Sequence, residues 1–153
     1  MDESRRKTSC EFCLRPANRG DYELAQRLYI NCMKPLLTDL GAWDEAETRS
    51  KFASYFDTRQ IKVVQVDGED IGWVQVSETD SDVNLDQIHL MPAFQRNGIG
   101  SSIILDIMRA TEAKRKPLLL SMVRGNKAIK LYKRLGFKLD SSDATRIHMR
   151  WDA

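Results

Sequence analysis

Gln95-Arg96-Asn97-Gly98-Ile99-Gly100-Ser101-Ser102 is the stretch on which the reading of this chain turns. It follows the strand-like Val83–Leu90 and precedes Ile103, Ile104, Ile107 and Met108, which with Ile99 share one face of a helix. Glycines at the opening of a helix let backbone N–H groups approach a ligand with no Cβ in the way. The helix dipole favours a negative group at the same place. Such a turn suits a diphosphate, with Arg96 able to add a charge-assisted contact from the side. Two better-known phosphate loops do not fit. A dinucleotide fingerprint needs a small residue three positions after the second glycine, where Ile103 stands, and a P-loop needs a lysine after it, where Ser101 stands. Taken alone, the glycine pair suits a tight turn without a ligand equally well.

Outward from this turn, strand and helix patterns alternate. Upstream, Ile61–Val66 and Ile71–Val76 flank Asp67-Gly68-Glu69-Asp70 as an antiparallel hairpin. Downstream, a helix from Ile99 to Ala113 leads past Pro117 to Leu118–Val123, an apolar run expected of a strand covered on both faces. Strand, helix, strand in that order makes a right-handed crossover between parallel neighbours. Nearer the start, Phe12–Pro16 reads as an edge strand with Phe12 and Leu14 turned to the core. Asp21 caps a helix beginning at Tyr22, with Leu24, Leu28, Tyr29 and Cys32 on one face, and Pro35 and Gly41 interrupt it. A second helix spans Glu45–Tyr55. A short helix over Lys127–Leu135 ends at Gly136, and strands at Phe137–Leu139 and Arg146–Trp151 follow. The sum is an α/β domain with a mixed sheet of six to seven strands, an antiparallel first half, a parallel central pair and about four helices.

The length of 153 residues fits one domain, at ~150 residues per domain. Lysine and arginine number 24 against 22 acidic residues, so no basic block marks a nucleic-acid partner. No apolar run nears the ~20 residues of a membrane span. The charged start lacks a secretory core, so a soluble cytoplasmic protein is expected, with residues 1–9 as a flexible tail. Cys10 and Cys13 have the spacing of half a zinc site, but Cys32, His89 and His148 supply no second half, and no metal is expected.

A second constellation runs from Arg124 to Phe137. Ala128, Leu131, Tyr132 and Leu135 share a helical face, on which Tyr132 could be simply a core aromatic and Asn126 a helix cap. Taken together with the glycine turn, Asn126…Leu131-Tyr132…Leu135-Gly136-Phe137 resembles the GNAT superfamily of acetyl-CoA-dependent N-acetyltransferases over most of the chain. Leu14-Arg15-Pro16-Ala17 and the closing Met149-Arg150-Trp151 are similar to that family's ends.

The resemblance implies a single GNAT domain over residues 1–153, in which the central parallel strands splay apart around acetyl-CoA, and no metal. It implies that His89, Leu90 and Met91 pair through their backbone with the pantetheine arm. Asn97, Gly98, Ile99, Gly100, Ser101 and Ser102, with Gln95 and Arg96 beside them, would hold the pyrophosphate. Asn126 would bond the pantetheine, Tyr132 would protonate the departing thiolate, and the Leu90 N–H would stabilise the oxyanion. An amine of pKa about 10.4 needs a base near neutral pH. Many relatives carry a glutamate on the fourth or fifth strand; here the fifth offers Ser121, which leaves His89 and Asp86, directly or through water. In this fold the acceptor meets the loop between the first two helices, here with Trp43, Asp44 and Glu45, although those acids equally suit a helix N-terminus. The expected activity is acetyl transfer to a primary amine on a small molecule, peptide or protein, by a monomer or homodimer. The other reading is a non-catalytic acyl-CoA-binding sensor.

Overall fold

The computed structural model describes residues 11–153, so the expected tail at residues 1–9 and Cys10 lie outside the described residues. The chain runs β1 (Cys13–Pro16), α1 (Tyr22–Asp39), α2 (Glu45–Tyr55), β2 (Ile61–Val66), β3 (Glu69–Glu78), β4 (Val83–Leu90), α3 (Ile99–Ala113), β5 (Leu118–Val123), α4 (Ile129–Leu135), β6 (Lys138–Ser142) and β7 (Arg146–Trp151). The seven strands form one sheet in the order β1-β2-β3-β4-β5-β7-β6. Only the β4–β5 pair is parallel; the others are antiparallel. The expected α/β class, mixed sheet and four helices are therefore present.

Side-chain alternation sorts the sheet into two faces. Val83 and Leu85 of β4, Leu118, Leu120 and Met122 of β5, and Met149 of β7 join Ile99, Ile103, Ile104 and Met108 of α3 and Tyr132 of α4 in one core. Ile61, Trp73 and Val123 face the other way, against Ala25, Leu28, Tyr29 and Met33 of α1 and Phe52 of α2. Helices α3 and α4 thus cover one face and α1 and α2 the other. Among the described residues, no helix is long and apolar enough to cross a membrane.

Several local expectations need correction. Pro35 sits inside α1, which continues to Asp39. A proline cannot donate to the carbonyl four residues back, here Asn31, yet Leu36 and Leu37 beyond it still pack on the core and hold the helix in line. Leu14 shares the core-side face with its partner Val64, as expected, but stays 43% exposed because β1 is the edge of the sheet, whereas Phe12 packs on the core. The β2–β3 turn is only Asp67-Gly68, both at positive φ (51° and 78°), which lets pairing begin at Val66 and Glu69 and lengthens β3. Helix α4 begins at Ile129, after a turn through Gly125, and β6 extends to Ser142.

Candidate active site

β4 and β5 pair at three positions only, Val83–Leu118, Asn84–Leu119 and Leu85–Leu120, and then diverge. The first residue of β4 past the pairing is a bulge: Val76 of β3 faces Leu85 and Gln75 faces Gln87, so Asp86 is the extra residue. Ser121 occupies the matching place on β5. Further along, the Met91 N–H donates to the Ile71 carbonyl (2.8 Å) around the Gly72–Leu90 pair. In an antiparallel ladder that pattern turns the N–H and C=O of Leu90, and of Ile88 two residues earlier, away from β3 and into the opening. The Leu90 carbonyl takes a bond from Gln95 Nε2 at 2.9 Å, so its N–H is the group left facing the opening.

A cavity of about 550 Å³ fills the opening between the divergent strands. Its walls include His89 and Leu90, Gln95, Arg96, Gly98, Gly100 and Ser101, and Asn126 and Tyr132. Two left-handed residues, Arg96 (φ 66°) and Gly98 (φ 89°), bring the chain into α3. No side chain caps this helix, and the Ser102 N–H already donates to the Gly98 carbonyl at 3.0 Å. The N–H groups of Ile99, Gly100 and Ser101 precede any helical acceptor and are the orphan donors here. A Cβ at Gly100 would meet only Leu90 Cδ1, at 3.8 Å, and so would stand on the cavity wall. Of the expected binding residues, Met91, Asn97, Ile99 and Ser102 do not line this cavity, and the Ile99 side chain is core. Asn126 does not cap α4, whose N-cap is Ala128; its Oδ1 accepts the Ala128 N–H at 2.9 Å in the turn before the helix, and its amide nitrogen is what remains for the cleft. Tyr132 is 6% exposed, with burial pushing its hydroxyl up to about 12.

On the α1/α2 face lies a wider, polar cavity of about 740 Å³, with Tyr55, Asp57, Gln75, Asn84, Asp86, Gln87, Ser121, Asp140, Arg146 and His148 in its walls. A small space of about 60 Å³ sits between the two cavities. It shares Asp86, Gln87, Ser121 and Arg146 with the polar cavity and His89, Asn126 and Tyr132 with the cleft, so it forms a throat through the sheet at the point of splay.

Two candidate bases stand at this throat in different states. His89 is 7% exposed, lies between Trp73 and Tyr29 (ring centroids 5.1 and 5.8 Å), and is pushed down to about 4 by desolvation. Its Nε2 lies 2.7 Å from Gln87 Oε1, which as an amide oxygen can only accept. A proton therefore stays on Nε2, and the ring orients Gln87. Asp86 is accessible to the cavity yet surrounded by protein, and desolvation raises its carboxyl above the usual range, against a hydrogen bond from Ser77. Trp43, Asp44 and Glu45 line none of these three spaces. Trp43 packs near Lys34, Asp44 caps α2 through the Glu47 N–H, and Glu45 pairs with Arg49. The polar wall made by Gln75, Gln87, Asp140, Arg146 and His148 was missed in the sequence because it is assembled from four strands. Among the described residues, no three His, Cys, Asp or Glu side chains gather as a metal site would need.

Residues 57–139 match the sequence family described as Acetyltransferase (GNAT) domain. No protein of curated function matches the chain in sequence. Among solved structures it is similar to the PaiA N-acetyltransferase of Thermoplasma acidophilum in complex with coenzyme A, with TM-score 0.74, 16% identity, and 94% of this chain and 99% of that one covered. PH1933 of Pyrococcus horikoshii OT3 gives TM-score 0.73 at 15% identity, covering 94% and 99%. Ard1 of Thermoplasma volcanium gives 0.67 at 16%, covering 93% and 97%.

Proposed function

The chain belongs to the GNAT acetyltransferase family, and from that membership we propose that it transfers the acetyl group of acetyl-CoA to a primary amine. The observation that carries this reading is the throat, which joins a cleft with orphan N–H donors to a polar cavity on the opposite face. Coenzyme A in a structural relative at 16% identity supports placing acetyl-CoA in the cleft. Bound there, acetyl-CoA supplies a thioester: the amine nitrogen bonds to the acetyl carbon, the C–S bond breaks, and an amide and a thiol result.

The residues divide the work. Ile99, Gly100 and Ser101 offer their N–H groups to the pyrophosphate at the positive end of α3, with Arg96 alongside. The Leu90 N–H points into the opening, where it can hold charge developing on the acetyl oxygen. Ile88, Leu90 and the amide nitrogen of Asn126 would hold the pantetheine arm. Asp86, in its ionised form, draws the proton from the incoming ammonium, directly or through one water. Tyr132 stays protonated well above neutral pH and holds at its Oη the proton that the sulfur takes up. His89, neutral and bonded to Gln87, is a positioning residue in this scheme.

The test is acceptor-dependent release of coenzyme A from acetyl-CoA over polyamines, aminoglycosides, amino acids and peptides with free amines. Release above the acceptor-free rate supports the transferase. Acetyl-CoA binding without release for any acceptor would leave the sensor reading in its place.

A further inference from the structure

Arg146 is the charged residue whose position the reaction above does not use. It opens β7 opposite Val123, and the alternation that sends Ile147 and Met149 to the α3 side turns Arg146 and His148 to the acceptor side. Asp143 Oδ1 accepts the N–H groups of Thr145 (2.8 Å) and Arg146 (2.7 Å), which fixes the start of the strand. That carboxylate serves the backbone and not the guanidinium. Among the described residues, the other arginines either hold a carboxylate or carbonyl or stand exposed, whereas Arg146 is half-buried with neither. The buried Tyr29 phenol feels its charge, Ser121 and His148 line the polar cavity with it, and the carboxylates of Asp57, Asp86 and Asp140 line that cavity too, Asp86 also reaching the throat. A partly desolvated guanidinium held by no carboxylate bond is a cost that a bound anion offsets.

We propose, resting on the acetyl-transfer reading, that Arg146 binds a carboxylate of the acceptor while Asp86 meets its ammonium, so that the acceptor is a free α-amino acid. Asp86 of β4 and Arg146 of β7 line the same throat, with Ser121 of β5 between them. An ammonium and a carboxylate met by two side chains of one throat sit close together on the acceptor's skeleton, as those of an α-amino acid do. The acceptor's side chain then extends into the wide cavity, among Asn84, Asp57 and Asp140, which suits a polar or basic side chain over an aliphatic one. A lysine within a protein offers no carboxylate at this distance and gains nothing from Arg146.

The experiment compares each free amino acid with its carboxamide and its decarboxylated amine as acceptors of acetyl-CoA. The wild type is expected to favour the acids by at least tenfold in kcat/KM, with polar and basic side chains leading. In Arg146→Gln that preference collapses towards unity, chiefly through the KM of the acids, and Arg146→Lys restores part of it. The wild-type comparison needs no variant, so a poorly folded substitution does not blunt the test. Carboxamides or plain amines used as well as the acids would overturn the proposal and leave acetyl transfer standing. Release with no amine of any kind would overturn the transferase reading and this one with it.

Discussion

His89 and Asp86 stand three positions apart on one strand, and loss of solvent, nearly complete at His89 and only partial at the accessible Asp86, moves their titrations in opposite directions. Desolvation disfavours whichever form is charged, so it lowers the histidine to about 4 and raises the aspartate. For catalysis, Asp86 must be ionised to accept a proton, so kcat/KM is expected to fall as pH drops through its raised pKa. Asp86→Asn should lower kcat/KM by ~10²-fold or more and remove that acidic limb; a limb unchanged in the variant assigns the base elsewhere. For stability the sign at His89 runs the other way from a paired histidine. Its folded pKa lies below the unfolded value of 6.5, so the contribution is complete above 6.5 and is lost as pH falls towards 4. Between pH 7 and pH 5 the wild type should lose about 2 kcal/mol in urea unfolding that His89→Gln does not lose. The histidine was visible in the sequence as a candidate base, but not its burial. That burial comes from Trp73, paired with it across the ladder, and from Tyr29 on α1, neither of which is a sequence neighbour.

At the scale of elements, two glycines carry opposite demands. A Cβ at Gly72 would lie 2.4 Å from the His89 carbonyl, a backbone atom that cannot swing aside, so β3 and β4 would have to part where Leu90 faces the opening. Gly72→Ala is expected to destabilise by about 2 kcal/mol or more in chemical unfolding, and a neutral result would mean the strands yield easily. Gly100→Ala should leave that unfolding curve nearly where it was, since its Cβ finds ordinary contact, while the KM for acetyl-CoA rises about tenfold, equivalent to ~1.4 kcal/mol. Equal KM values would place the diphosphate away from α3. The hairpin was legible because Asp-Gly accepts the two positive φ angles of a two-residue turn, and α3 because its apolar period follows the glycines. The bulge at Asp86 left no trace in the sequence: one extra residue in a strand is defined only by its partner strand. Pro35 misled because its local cost is real but is outweighed by the packing of Leu36 and Leu37.

Across the whole molecule, the order of strands and helices could be read from the chain, because each apolar period names its own element and short connections leave few topologies. The polar cavity could not, since its walls come from β3, β4, β5, β6 and β7 together, and the acids near Trp43 have a local use as a cap and a helix ion pair. The three-pair contact between β4 and β5 sets a global expectation. Coenzyme A at 100 times its Kd should add about 2.7 kcal/mol to unfolding by linkage. Amide exchange at Ile88 and Leu90, whose N–H groups face the opening, should slow more on binding than at Val63 and Val64 in the fully paired β2. Uniform slowing at all four would mean the ligand does not act along β4.

That narrow seam also bears on how long each copy of the protein lasts. A sheet joined at its middle by three residue pairs opens there at lower cost than elsewhere, and opened chains are what proteases cut. A ligand lying along the seam closes it. Newly made chains that meet little acetyl-CoA are then expected to be cleared first, so that the amount of protein in the cell, and not only its rate of work, follows the supply of its co-substrate.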